Sequence, residues 1–226
     1  MEGSIKYRIK FKKTGCMKFL GHLDVLRYFQ KAIKRADVPV AYSEGFNPHQ
    51  LLSFAAPLSV GVEGYGEYFD MEMMERIDPY VLRDRLDAVM VDGMRVIDAR
   101  TLPEKSQNCM ASVTAAEYRI SFKDHDFDFD PAYSLVGFYQ YLDEIVITKK
   151  TKKSERQIDL KPLVYDCIYD KGDVLITLPC GSTENIKPEL FMGAFYDYTG
   201  IDPAELQYTL FRLELFGGTY PDISPL

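Results

Sequence analysis

Residues 5–36 read IKYRIKFKKTGCMKFLGHLDVLRYFQKAIKRA. Ile5, Tyr7, Ile9 and Phe11 alternate with polar residues, which is the pattern of a strand with one buried face. Lys6, Arg8, Lys10 and Lys12 then share the opposite face, because successive side chains of a strand point to opposite sides. Gly15 breaks the alternation. From about His22 to Ala36 the period becomes helical, with Leu23, Leu26, Phe29, Ile33 and Ala36 on the side expected to be buried. Arg27, Lys31, Lys34 and Arg35 fall mostly off that side, and Pro39 stops any continuation.

The rest of the first half extends this strand–helix start. Leu51 to Phe54 is a short strand candidate that Leu58 to Val62 continues after Pro57, and Glu67 to Met73 alternates as another strand. Asp78-Pro79 opens a helix, with aspartate able to cap it and proline suited to its first turn. Tyr80, Leu82, Leu86 and Val89 supply that helix with an apolar side. Met94 to Ala99 is the next strand. The order β-α-β-β-α-β is the split βαβ arrangement of a ferredoxin-like unit.

Residues 103–114 read as a linker, and the order then repeats. Ala116 to Phe122 is a strand and Tyr133 to Leu142 a helix. Ile145 to Thr148, Leu163 to Ile168 and Val174 to Leu178 are strands. Pro188 to Tyr198 is a helix and Tyr208 to Phe216 the last strand, with one extra strand or hairpin arm around 149–160. The fold expected is α+β, two tandem ferredoxin-like (βαββαβ) halves over residues 1–102 and 115–226. The halves share an order of elements, not a visible sequence repeat.

A net charge of −7 over 226 residues argues against a general nucleic-acid binder, and no DNA partner is expected. The distribution argues differently. Residues 1–36 hold ten Lys or Arg against Glu2 and Asp24, and a second basic cluster comprises Lys149, Lys150, Lys152, Lys153, Arg156 and Lys161. Such asymmetry makes a local positive face on an acidic protein; a solvated surface balanced by nearby carboxylates is the plainer alternative. No apolar run approaches the roughly 18 residues that span a bilayer. The start, MEGSIKYRIKFKK, lacks the apolar core of a signal peptide, so a cytoplasmic location with no membrane partner is expected. Cys16, Cys109, Cys167 and Cys180 form no CxxC pair and read as reduced thiols. The acidic run 123–130 around His125 lacks the glycine and ligand rhythm of a metal loop. No metal and no cofactor are expected.

The candidate site lies in residues 19–49. Gly21-His22-Leu23-Asp24 sits where the first helix begins, with unpaired backbone N–H groups and a positive dipole that suit a phosphate or carboxylate. Asp24 can satisfy those donors instead. His22 is a structural partner, a donor to a ligand or a general base. The loop 42–49 has Gly45 for unusual backbone angles and Pro48 for stiffness. Tyr42 and Phe46 can stack on a base, and Ser43, Asn47 and His49 can read its polar edge; the alternative is a loop whose aromatic rings plug the gap between helix and sheet. Arg212, before Gly217-Gly218, is a candidate at the far end.

These residues resemble the bacterial family of radical SAM-linked proteins, a domain of unknown function. The shared pattern is His22-Leu23-Asp24, Arg27, Arg35, the run from Tyr42 to His49, then Gly61, Glu67 and Asp70, with Lys149-Lys150, Ile158-Asp159, Pro188 and Arg212 in the second half. Gln50-Leu51 departs from the proline and lysine usual after the loop histidine. The resemblance implies an accessory protein beside, or fused to, a radical S-adenosylmethionine enzyme, sometimes with a ribonuclease E/G-type domain, and plausible RNA handling. The chain has no three-cysteine cluster motif and so is not itself the radical enzyme.

The leading expectation is a non-catalytic module that binds RNA (tRNA or rRNA) and presents it to the radical SAM partner. Phosphates would lie along Lys6, Arg8, Lys10, Arg27, Lys31 and Arg35, with Lys149, Lys150 and Arg212 as further contacts. Two alternatives stand beside it. One is a metal-independent RNA-processing or RNA-modifying enzyme with His22 or His49 as general base. The other is a protein–protein adaptor without RNA contact.

Overall fold

Strand β1 (Ile5–Lys13) forms as the alternation predicts, with Tyr7, Ile9 and Phe11 buried. The computed structural model describes residues 5–150 and 155–226. A short 3-10 helix (Gly15–Phe19) leads into α1 (His22–Arg35). Its buried residues are Val25, Phe29, Ala32 and Ile33, at spacings of four, three and one. Leu23 is 62% exposed, contrary to the expected stripe. The strip that meets the sheet is set by Val25 and Phe29, and Leu23 is out of phase with it.

The first half continues with β2 (Leu52–Phe54), β3 (Glu63–Met73), α2 (Pro79–Asp87) and β4 (Met94–Thr101). Asp78 caps α2, its Oδ1 accepting from the N–H groups of Tyr80 and Val81 at 2.9 and 3.3 Å. Leu82 and Leu86 are buried, whereas Tyr80 faces solvent. The stretch 58–62, expected to be strand, is loop.

Residues 103–114, read as a linker, contain the helical turn α3 (Cys109–Ser112). The chain then forms β5 (Ala115–Phe122), α4 (Pro131–Tyr141), β6 (Val146–Lys150), β7 (Glu155–Asp159), β8 (Asp166–Asp170), β9 (Asp173–Pro179), α5 (Pro188–Thr199), β10 (Tyr208–Gly217) and β11 (Ser224–Pro225). β6 and β7 pair as a separate hairpin, the arm expected around 149–160. The strand expected from Leu163 starts at Asp166, because Pro162 lies in a 3-10 turn (Lys161–Leu163). Lys152 and Lys153 lie outside the described residues, as do the side chains of Lys149 and Lys150.

One sheet runs through both halves in the order β4-β1-β3-β10-β5-β9-β8, with β2 beside β3 and β11 beside β10. Its pairings are antiparallel except between β3 and β10, which run parallel where Glu63 and Gly64 meet Phe211 and Arg212. Gly66 lets the two strands approach at that seam: a Cβ there would lie 2.6 Å from the Leu213 carbonyl oxygen. The architecture is therefore mixed α/β around a large, mostly antiparallel sheet rather than two sheets joined by a free linker.

Two buried clusters flank the seam. The first packs α1 and α2 on β1 and β3 through Phe11, Phe29, Phe54 and Phe69, whose ring centroids lie 4.7 to 6.1 Å apart. The second packs α4 and α5 on β5, β9 and β10 through residues such as Ile120, Leu135, Phe191 and Phe195. Among the described residues, no helix is long and apolar enough to cross a membrane.

Candidate functional site

The cations of β1 meet acids from distant strands. Antiparallel pairing sets Lys6 opposite Glu72 and Arg8 opposite Asp70, on the same face. Arg8 Nε and Nη2 donate to Asp70 Oδ1 and Oδ2 at 2.7 and 3.0 Å. Lys6 Nζ lies 3.6 Å from Glu72, and Lys10 pairs with Glu214 of β10. Arg8 is 6% exposed. On β1 the expected row of phosphate contacts is therefore interrupted: Arg8 is buried against Asp70 and is not free to meet a phosphate, Lys10 is paired with Glu214, and Lys6 has Glu72 as a looser partner. The neutralising acids lie some sixty residues and more along the chain, beyond any local reading of β1.

Arg212 is also committed. Its Nε donates to Glu67 Oε1 at 2.8 Å and its Nη2 to Glu67 Oε2 at 2.5 Å and to the Ala56 carbonyl at 2.9 Å. Arg212, Glu67 and Lys13 are each 4% exposed or less. Lys13 Nζ donates to the carbonyls of Leu20 and Lys18 at 3.1 and 3.4 Å. Burial holds its ammonium below the usual value; Glu67 opposes that shift and Arg212 adds to it. Lys13, Glu67 and His22 line a cavity of about 20 Å³ together with Phe11, Phe54 and Leu58. That is space for one water-sized occupant. The His22 ring stands edge-on to Phe54 at 5.7 Å. Lys13 carried no signal in the sequence beyond its place in a basic strand, and Glu67 appeared there without a role.

The loop 42–49 is closed by local bonds. His49 Nδ1 and Ser43 Oγ are 2.8 Å apart, His49 N donates to Ser43 Oγ at 3.1 Å, and Ser43 N donates to the His49 carbonyl at 2.9 Å. Gln50 Nε2 ties the foot of the loop to α1, donating to the Gln30 carbonyl at 3.2 Å. Gly45 takes φ +109°, a left-handed conformation that favours glycine. Phe46 is fully exposed at the tip, and Tyr42, Asn47 and His49 face solvent. The aromatic rings of this loop do not plug a gap in the core.

His49 and Gln50 border a second, larger cavity of about 250 Å³. His22 lines the small cavity at the seam and His49 this one, so they stand in different recesses, and the foot of the loop meets the middle of α1 rather than its start. Arg27, Lys31 and Lys34 are exposed on α1. Arg27 lies 3.5 Å from Asp24 with both side chains well solvated, a pairing of little energetic weight. Arg35 donates to the Val89 carbonyl at 3.1 Å. Gly21 precedes α1 and has no side chain to cap it, and the hydrogen bond that the Asp24 carboxylate accepts comes from Arg27 rather than from the helix's first N–H groups.

The four cysteines are free, and burial pushes the Cys167 thiol up to about 12. Asp130 of the acidic run caps α4 and accepts from Tyr169 Oη at 2.8 Å. Among the described residues, no group of three or more His, Cys, Asp or Glu is placed to hold a metal ion.

No curated protein matches the chain. Among solved structures, an unknown protein from Galdieria sulphuraria aligns over 92% of this chain and 98% of its own, at 8% identity and a TM-score of 0.29, too slight a likeness to bear on fold or function. Residues 6–188, from β1 to the first residue of α5, match a family model described as an uncharacterized protein conserved in bacteria (DUF2344). That span is most of the chain, and the chain belongs to this bacterial family.

Proposed function

We propose that the chain is a binding module for single-stranded RNA that presents tRNA or ribosomal RNA to a radical SAM partner enzyme. The observation that carries the RNA reading is Phe46. Its ring stands wholly in water at the tip of a loop held by the Ser43–His49 bonds and tied to α1 by Gln50. An aromatic ring held in solvent on a fixed loop is a stacking platform for an unpaired base. The exposed cations Arg27, Lys31 and Lys34 lie on the helix to which the loop is tied, where they can meet phosphates.

The radical SAM partner is inferred from the resemblance of the first-half motif. The dispersed cysteines leave cluster chemistry to another protein. We also read each half as a ferredoxin-like unit. The pairings β4-β1-β3-β2 in the first half and β10-β5-β9-β8 in the second follow one order, and both support that reading.

The test is retention of total cellular RNA by the purified protein at low and moderate salt. Salt-sensitive retention that falls on Phe46→Ala and on Lys31→Glu is expected. Retention unchanged by either substitution, or none at low salt, would overturn the RNA reading in favour of an adaptor that docks a protein partner through the same surface.

A further inference from the structure

The 250 Å³ recess beside the loop has no role in the reading so far. It lies at the β2 edge of the sheet, where Ser53 pairs opposite Asp70, and the loop residue His49 borders it. Lys6, Leu51, Leu52, Ser53, Glu72 and Asn108 supply most of its lining. At about 250 Å³, against about 20 Å³ for the one-water cavity at the seam, it has room for a bicyclic ring. Leu51 and Leu52 are its apolar residues and the other seven lining residues are polar or charged, so the recess suits a polar ligand held by hydrogen bonds.

The polar groups differ in what they have left to give. Asp70, also on the lining, is spent on Arg8 through two short bonds. Glu72 is not: its nearest cation, Lys6, stands at 3.6 Å, longer than a hydrogen bond, and both side chains are about one-third exposed. Asn108 Oδ1 accepts from the Ala111 N–H at 2.8 Å, which orients the amide and leaves its NH2 as donor. Gln50, 4% exposed and on the same wall, has an Oε1 with no hydrogen-bond partner. That atom is closed off from solvent, so it is a polar group left unmet inside the wall, and the groups a ligand can reach are Glu72, Lys6 and Asn108.

We infer that this recess is a nucleobase subsite and that it selects guanine, through Glu72. The inference rests on the RNA reading above and names what the site reads. A carboxylate carries acceptors only. Guanine presents two neighbouring donors on one edge, N1–H and the N2 amino group, and both can bond the two oxygens of Glu72. Adenine and cytosine each set a ring-nitrogen acceptor beside their amino group, and uracil flanks its one N–H with two carbonyl oxygens. All three bring a lone pair against the carboxylate. The ammonium of Lys6 and the Asn108 amide supply donors for the guanine O6.

The test uses the full chain and two kinds of probe. The first is a set of labelled hexameric RNAs, uridine throughout or with one central G, A or C. The second is the pair GMP and AMP, followed by chemical-shift changes at Ser53 and Asn108. The central-G hexamer is expected to bind roughly 5- to 150-fold tighter than the others, the discrimination of one good bidentate base contact. Glu72→Gln abolishes that preference, so that the four hexamers bind alike, and GMP shifts the recess signals at concentrations where AMP does not. If the hexamers bind with no preference for G, or the preference survives Glu72→Gln, the recess assignment falls while the RNA reading stands. If no hexamer binds but GMP does in a Glu72-dependent way, the RNA reading falls and the recess assignment stands. If neither kind of probe binds, both fall.

Discussion

Glu67→Gln removes one charge from a buried cluster and changes little else. Glu67 is the carboxylate that faces both Arg212, at 2.8 and 2.5 Å, and the buried Lys13. Glutamine keeps the shape, so no cavity opens, and the loss is electrostatic. Breaking a buried pair by removing one partner costs about 3–5 kcal/mol. Arg212 keeps its bonds to the Ala56 and Pro57 carbonyls at 2.9 and 3.3 Å, which places the expected loss near the lower end. The pH dependence follows from Lys13. Its folded pKa lies below its ordinary value. Between those two values the unfolded chain binds more protons, so this group adds stability as pH rises through that window. Without Glu67 the folded pKa falls further and the window widens. The deficit of the variant relative to wild type is therefore larger at neutral pH and shrinks as pH rises toward the ordinary lysine value of 10.5. Urea denaturation at neutral pH and close to that value measures it. A deficit under about 1 kcal/mol at neutral pH, or one that stays flat between the two pH values, would refute the argument.

Three further outcomes are expected. Phe46→Ala weakens RNA binding by about 1–3 kcal/mol and leaves the melting temperature unchanged, read by fluorescence anisotropy and thermal melting; a fall in melting temperature would mean the ring is structural. Asp78→Ala, which removes acceptors for Tyr80 and Val81 N–H, costs about 1 kcal/mol in chemical denaturation. Gly66→Ala forces a Cβ against the Leu213 carbonyl and loosens the β3–β10 seam by about 1–3 kcal/mol, with faster amide exchange in β10 as its signature.

Sequence periodicity by itself located the helices and most strands to within a few residues, because the apolar period is a local property of each element. It marked the 42–49 loop as a site candidate through composition alone, since a mixture of aromatic rings, amide, glycine and proline is unusual for a plain turn. It placed Lys6, Arg8 and Lys10 on one strand face, and that is as far as alternation goes. Whether those cations are free was decided by Asp70, Glu72 and Glu214, which strand pairing brings from far along the chain. The same holds for Arg212 and Glu67, 145 residues apart, and for the joining of both halves into one sheet. The order of elements cannot specify that joining, because it depends on which strand edge is left open and on a glycine that allows two backbones to meet. The separation of His22 from His49 into two recesses likewise came only with the tertiary structure. Both residues flank one helix in sequence, but helix length and the Gln50–Gln30 tie hold the loop away from the helix start.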